Sequence, residues 1–169
     1  MSAPTVRRYL DRLTSLFLVR QLPPFFENIG KRQVKSPKIY FADSGLLLAL
    51  LGIASFHDLL AHPKLGAVWE GFAMGEILSA LQTRESEISF WATHGGAEID
   101  LIVMRGQRRR GFELKFTDAP KVTKSMLIAL EDLQLDRIDV VHAGRHSFPL
   151  RDKIWATSIE KLQDDLPPL

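Results

Sequence analysis

None of the 169 residues is a cysteine, so the chain forms no disulfide framework, no thiolate metal site and no cysteine nucleophile. Any bound metal would rest on carboxylate or imidazole. Long apolar runs are missing too: residues 46–51 fall far short of the roughly 18–20 needed to span a bilayer, and no signal-peptide apolar stretch opens the chain. The expectation is a cytoplasmic protein without membrane contact. There is no Gly-x-x-x-x-Gly-Lys-Ser/Thr segment for nucleotide binding, no Gly-x-Ser-x-Gly elbow and no His-Glu-x-x-His. His57, His62, His94, His142 and His146 show no metal-ligand spacing and read as structural or surface residues. A strong net charge is also absent, with 22 Lys and Arg against 20 Asp and Glu giving +2. What is present, 46% apolar and 25% charged residues, is a composition that folds around a core.

The charge is unevenly spread. Residues 1–40 hold eight basic residues (Arg7, Arg8, Arg12, Arg20, Lys31, Arg32, Lys35, Lys38) against Asp11 and Glu27, a balance of +6, while the rest carries −4. Two units with different partners are expected, 1–52 and 53–169. In the first, Thr5 as N-cap and an apolar period through Val6, Tyr9, Leu10, Leu13, Leu16 and Phe17 predict an amphipathic helix over 5–18. Short strands at 19–22, 25–28 and 39–42 surround a basic loop at 30–38, and Asp43 caps an apolar helix that Gly52 stops. A helix followed by strands and a basic loop is the pattern of a winged helix, incomplete upstream. Arg7, Arg8, Arg12, Lys31, Arg32, Lys35 and Lys38 are then candidate contacts to DNA phosphate, the alternative being an ordinary solvated basic surface.

In the second unit, residues 65–82 have helical period with Leu65, Trp69, Phe72, Ala73, Ala80 and Leu81 on one face. Glu76 lies within roughly 20° of Trp69, near the middle of that stripe. A carboxylate there needs a cation or a lysine partner. Glu70 reads as ordinary surface. Strands are expected at 88–92, 98–105 and 111–116, with a two-residue turn at Gly106-Gln107 that would set Asp100 opposite Glu113 and put Lys115 on the face of Glu113. Facing carboxylates repel, so either Lys115 or a divalent cation must offset them. The 108–110 arginines lie beside this group, as a hairpin tip or a phosphate contact. A helix at 123–133, strands at 137–143 and 154–156, and a last helix at 158–166 complete an α/β layer with a mixed sheet.

Glu76, Asp100 within Glu98-Ile99-Asp100, and Glu113-Leu114-Lys115 resemble the motif of the PD-(D/E)XK nuclease superfamily, with Ala97-Glu98-Ile99-Asp100 in place of its initial Pro-Asp element. That resemblance implies a restriction-endonuclease-like mixed sheet flanked by helices after a winged-helix-like segment. It further implies Mg²⁺ or Mn²⁺ on Glu76, Asp100 and Glu113, with Lys115 assisting water attack. Tyr9-Leu10-Asp11-Arg12-Leu13, Leu22-Pro23-Pro24-Phe25, Lys35-Ser36-Pro37-Lys38-Ile39-Tyr40-Phe41-Ala42-Asp43-Ser44-Gly45-Leu46 and Trp69-Glu70-Gly71-Phe72 resemble the C-terminal region of a prokaryotic AAA-type ATPase family, a domain of unknown function there. The expectations are therefore a metal-dependent nuclease-like domain acting on DNA or, alternatively, a non-catalytic DNA- or protein-binding module that targets an ATPase.

Overall fold

A computed structural model describes residues 2–26, 30 and 33–169. Lys31 and Arg32, two of the candidate phosphate contacts, and Glu27 and Asn28 of the strand expected at 25–28 lie outside the described residues. The first helix, α1 (Ala3–Ser15), starts earlier than predicted: Ser2 is the N-cap and Pro4 sits in the first turn, where its missing N–H costs nothing. None of its residues is buried, and Val6, Tyr9, Leu13, Leu16 and Phe17 all remain exposed. It leads into β1 (Val19–Leu22), which pairs antiparallel with β2 (Lys38–Phe41). Asp43 caps α2 (Ser44–Leu50) by accepting the Leu46 N–H at 2.6 Å, as its sequence position predicts. A helix not predicted, α3 (Phe56–Ala61), follows under a Ser55 cap that accepts the Asp58 N–H. Helix, two-stranded ribbon and two short helices describe this segment, and Phe25 forms no strand but donates its N–H to the Phe90 carbonyl at 2.6 Å.

After α4 (Leu65–Ala80) come β3 (Ile88–Ala92), β4 (Glu98–Arg105), β5 (Arg108–Lys115), α5 (Lys124–Asp132), β6 (Arg137–His142), β7 (Phe148–Arg151), β8 (Ile154–Ser158) and α6 (Leu162–Asp165). They make a mixed six-stranded sheet of order β3-β4-β5-β6-β8-β7. β3, β4 and β5 form an antiparallel meander. A crossover through α5 then places β6 parallel to β5, and β8 is parallel to β6. β7 is a strand the sequence reading did not predict; it occupies the sheet edge, where the missing N–H of Pro149 is tolerated. The expected single helix at 158–166 is instead a 3₁₀ turn followed by the four-residue α6.

Two apolar layers clasp the sheet. One packs Trp69, Ala73, Met74 and Ile77 of α4 onto Leu101, Val103, Phe112 and Leu114; the other packs Met126 and Ala129 of α5 and its C-cap Leu133 against Ile99, Ile102, Ile138 and Val140. Each large side chain fully buried this way contributes roughly 1.5–3 kcal/mol. Strict alternation along β4 would send Ile99, Leu101 and Val103 to one face. Ile99 in fact joins the opposite layer from Leu101, because the β3–β4 register shifts between Ser89 and Trp91 and leaves Asp100 and Leu101 facing Phe90 alone. That is a β-bulge in β4, which bends a strand and re-aims a side chain.

Candidate functional site

The re-aimed side chain is Asp100. The β4–β5 turn is as the sequence predicts: Gly106 alone has positive φ (+62°), and the ladder runs from Arg105↔Arg108 to Leu101↔Phe112. The next step of that register would set Asp100 opposite Glu113. Instead the ladder stops there, and Asp100 Oδ2 accepts the backbone N–H of Leu114 at 3.0 Å. Beyond this point β4 continues against β3 and β5 against β6, so the sheet opens between the two carboxylates.

Seven ionisable side chains converge on this opening. Asp100 and Glu113 are 5% and 7% exposed. Lys115 Nζ lies 2.9 Å from Glu113 Oε1 and 4.0 Å from Asp100 Oδ2. From β2, Lys38 forms an ion pair with Glu98 and reaches Asp100 Oδ1 at 3.4 Å. Tyr40, two residues along the same strand, donates its hydroxyl to Glu70 Oε2 at 3.4 Å. Four carboxylates therefore face two ammonium groups. The imbalance raises the acids: burial, then the charge of Asp100, pushes Glu113 up to about 7 and holds Glu70 above its ordinary value. Burial opposes the charge of Lys38, but its Glu98 hydrogen bond and the nearby Asp100 outweigh that and keep it above the usual lysine range. Glu113 Oε2 is buried with no hydrogen-bond partner. A groove of about 440 Å³, walled by Leu47, Leu51 and Val68 and reached by Lys38, Tyr40 and Glu70, opens alongside.

Asp100, Glu113 and Lys115 thus lie together, while Glu76 does not join them: it is exposed on α4. The helix carboxylate that faces the site is Glu70, which the sequence reading left on the surface. Its position is readable in the sequence from the true buried stripe, since Glu70, Ala73, Met74, Ile77 and Leu81 follow at i, i+3, i+4, i+7 and i+11. Weighting Phe72, which is 39% exposed, as core rotated the predicted face toward Glu76. Lys38 spends its charge on Glu98 and Asp100, whereas Arg7, Arg8, Arg12 and Lys35 are exposed. Among the described residues, no group of three His, Asp or Glu side chains forms a ready metal cage, and no helix is long and apolar enough to cross a membrane.

Comparison with known proteins finds two family models along the chain, a domain of unknown function (DUF8612) over residues 1–57 and a domain of unknown function (DUF4143) over 65–162. Two uncharacterized proteins, Mb2031c of Mycobacterium bovis and Rv2008c of Mycobacterium tuberculosis, are each 48% identical over 158 residues, covering 94% of this chain and 35% of their own length. The chain spans about a third of the length of these curated relatives. No solved structure matches it. With the second model alone matching more than half of the residues, the chain belongs to the DUF4143 family.

Proposed function

We propose that the opening between β4 and β5 is a phosphodiester-cleaving site for DNA that works with Mg²⁺ or Mn²⁺ held by Asp100 and Glu113. The observation that carries this reading is the buried, unpartnered Oε2 of Glu113 beside a second carboxylate. The donor set fits a hard divalent ion, which is commonly held by one or two carboxylates with water and substrate phosphate completing the shell. When bound, such an ion lowers the pKa of water and polarises the phosphate. The protein's own groups supply the rest. Asp100 is fixed by the Leu114 N–H, and Lys115 holds positive charge next to Glu113, where negative charge would build during attack. Glu70 would take the helix position that the superfamily resemblance assigned to Glu76, and Lys38 pairs with Glu98 and Asp100. The exposed arginines of α1 would hold the DNA backbone, and the resemblance to C-terminal regions of AAA-type ATPases makes an ATPase domain the expected partner.

A second reading rests on Lys38. Because that ammonium already bridges Glu98 and Asp100, the cluster also suits a polar clasp that fixes the N-terminal ribbon on the sheet of a non-catalytic DNA- or protein-binding module. Calorimetric Mn²⁺ titration beside cleavage of single- and double-stranded DNA separates the two. Metal uptake and cleavage that both vanish in Glu113→Ala support the nuclease. No uptake at millimolar Mn²⁺, or DNA binding that persists unchanged in Asp100→Ala without cleavage in either protein, overturns it in favour of the module.

A further inference from the structure

The groove beside the carboxylate opening differs from it in chemistry. Leu47 and Leu51 reach it from α2 and its C-cap, Val68 and Gly71 from α4, and Tyr40 from β2, so its walls are largely apolar. Gly71 leaves one stretch of wall bare: a Cβ there would touch Tyr40 Cδ1 at 3.9 Å and nothing else within 4 Å, so the space in front of it is open. Groove and opening share residues. Lys38, Tyr40 and Glu70 line the groove, and the same three side chains take part in the charged cluster through Asp100 and the Tyr40–Glu70 hydrogen bond. At about 440 Å³ the groove has the size of a small-molecule pocket, which is roughly 300–1,000 Å³.

A nucleic acid cleaved at the opening has to put something into this groove. Phosphate is unsuited to it, because burying that charge against Leu47, Leu51 and Val68 without a partner is costly. A nucleobase is suited: it has flat faces that pack against aromatic and apolar side chains and a polar edge that hydrogen-bonds. Ser44 and Glu70, a hydroxyl and a carboxylate in the lining, offer partners for such an edge, and Lys64, exposed and lining the same groove, offers a cation to a neighbouring phosphate. In a closed duplex the base faces are stacked and hidden, so the groove can be filled only by a base that has left the stack. Stacking of this kind is tolerant of sequence, since every base has such a face.

We propose that this groove holds an unstacked base of single-stranded DNA, so that the substrate class is single strands and frayed ends and not closed duplex, an inference that rests on reading the neighbouring opening as a site for DNA. Fluorescence anisotropy on the full chain tests it, with Ca²⁺ as the cation and the strands checked to be intact on a gel. The probes are a short single strand, its duplex, and the same single strand carrying abasic positions. The intact single strand should bind about tenfold tighter than either of the others, the effect expected of one stacked base. Gly71→Leu, which fills the groove, should bring it down to the level of the abasic strand and leave abasic binding unchanged. Leu51→Gln, which makes an exposed part of the wall polar, should weaken it several-fold and still decides the matter if Gly71→Leu does not fold. Duplex bound as tightly as single strand, no penalty for abasic positions, or wild-type base dependence in Leu51→Gln overturns the inference. Cleavage in Mn²⁺ keeps the two readings apart: base-dependent binding without cleavage supports the groove and removes the nuclease, while duplex cleaved as fast as single strand keeps the nuclease and removes the groove.

Discussion

Glu113 and His142 are buried titratable groups with opposite consequences. Burial and the neighbouring Asp100 raise Glu113 from 4.5 to about 7, so the folded state binds its proton more tightly than the unfolded chain. Stability from this group is complete below about pH 4.5 and is lost as pH rises through 7. His142 is 1% exposed; its Nδ1 accepts the Gly144 N–H at 3.0 Å, its Nε2 is buried without a partner, and burial lowers its pKa from 6.5. It contributes stability above about pH 6.5 that is lost as pH falls toward its folded value. Melting temperature measured from pH 4.5 to 8 should therefore show two opposed slopes. Glu113→Gln should remove the decline toward alkaline pH, and His142→Gln the decline toward acid. If the metal reading holds, Mg²⁺ should raise the melting temperature at pH 8 and do so much less at pH 5, because protonated Glu113 is a poor ligand.

At the scale of elements, helix ends and close packing decide most. α1, α4 and α5 each end with a non-glycine residue in the left-handed region: Phe17 at φ 58°, Gln82 at 49° and Gln134 at 50°. In each the following N–H closes back onto the helix (Leu18 to Leu13, Thr83 to Leu78, Leu135 to Leu130), the arrangement that ordinarily selects glycine. α2 uses glycine, at Gly52. Gln82→Gly or Gln134→Gly should stabilise the fold by about 0.5–1 kcal/mol in denaturant unfolding, the strain relieved slightly exceeding the added chain entropy. Gly111 is the reverse case. A Cβ there would stand 2.8 Å from Leu135 Cδ1 and 3.2 Å from Ile138 Cγ1, so Gly111→Ala should destabilise by about 1–3 kcal/mol.

The same elements show how far the sequence could be read. β3 and β4 have the bounds expected of them, α2 starts after the expected cap Asp43, and α5 falls within the expected 123–133. Helix ends without glycine gave no signal, and counting the exposed Phe72 of α4 as core turned its expected apolar face toward Glu76 and away from Glu70. The bulge at Asp100 depends on a two-against-one contact with Phe90, and the arrival of Lys38 at Asp100 depends on a partner 62 residues away. Neither is written in local periodicity. Metal affinity should accordingly fall in Glu70→Gln and stay unchanged in Glu76→Ala, read by the same Mn²⁺ calorimetry.

For the whole molecule, the boundary near residue 52 is a boundary of sequence models more than of contacts. The N-terminal segment covers the β3 edge of the sheet: Phe90 donates its N–H to the Pro23 carbonyl, Val34 donates to Ala92, and Trp91 Nε1 donates to Gln33 at 3.1 Å. The other edge, β7, is short and carries Pro149. Removing residues 1–52 should leave a bare strand and give concentration-dependent self-association in sedimentation, absent from the full chain. A further consequence is one of timing. On the ribosome, residues 19–41 emerge well before β3, their docking strand, so the ribbon waits unpaired until contacts separated by 58 and 62 residues can close. Long-separation closures of this kind slow folding, and the interval before docking is when the nascent chain exposes Phe25 and the ribbon to whatever chaperone surface is nearest.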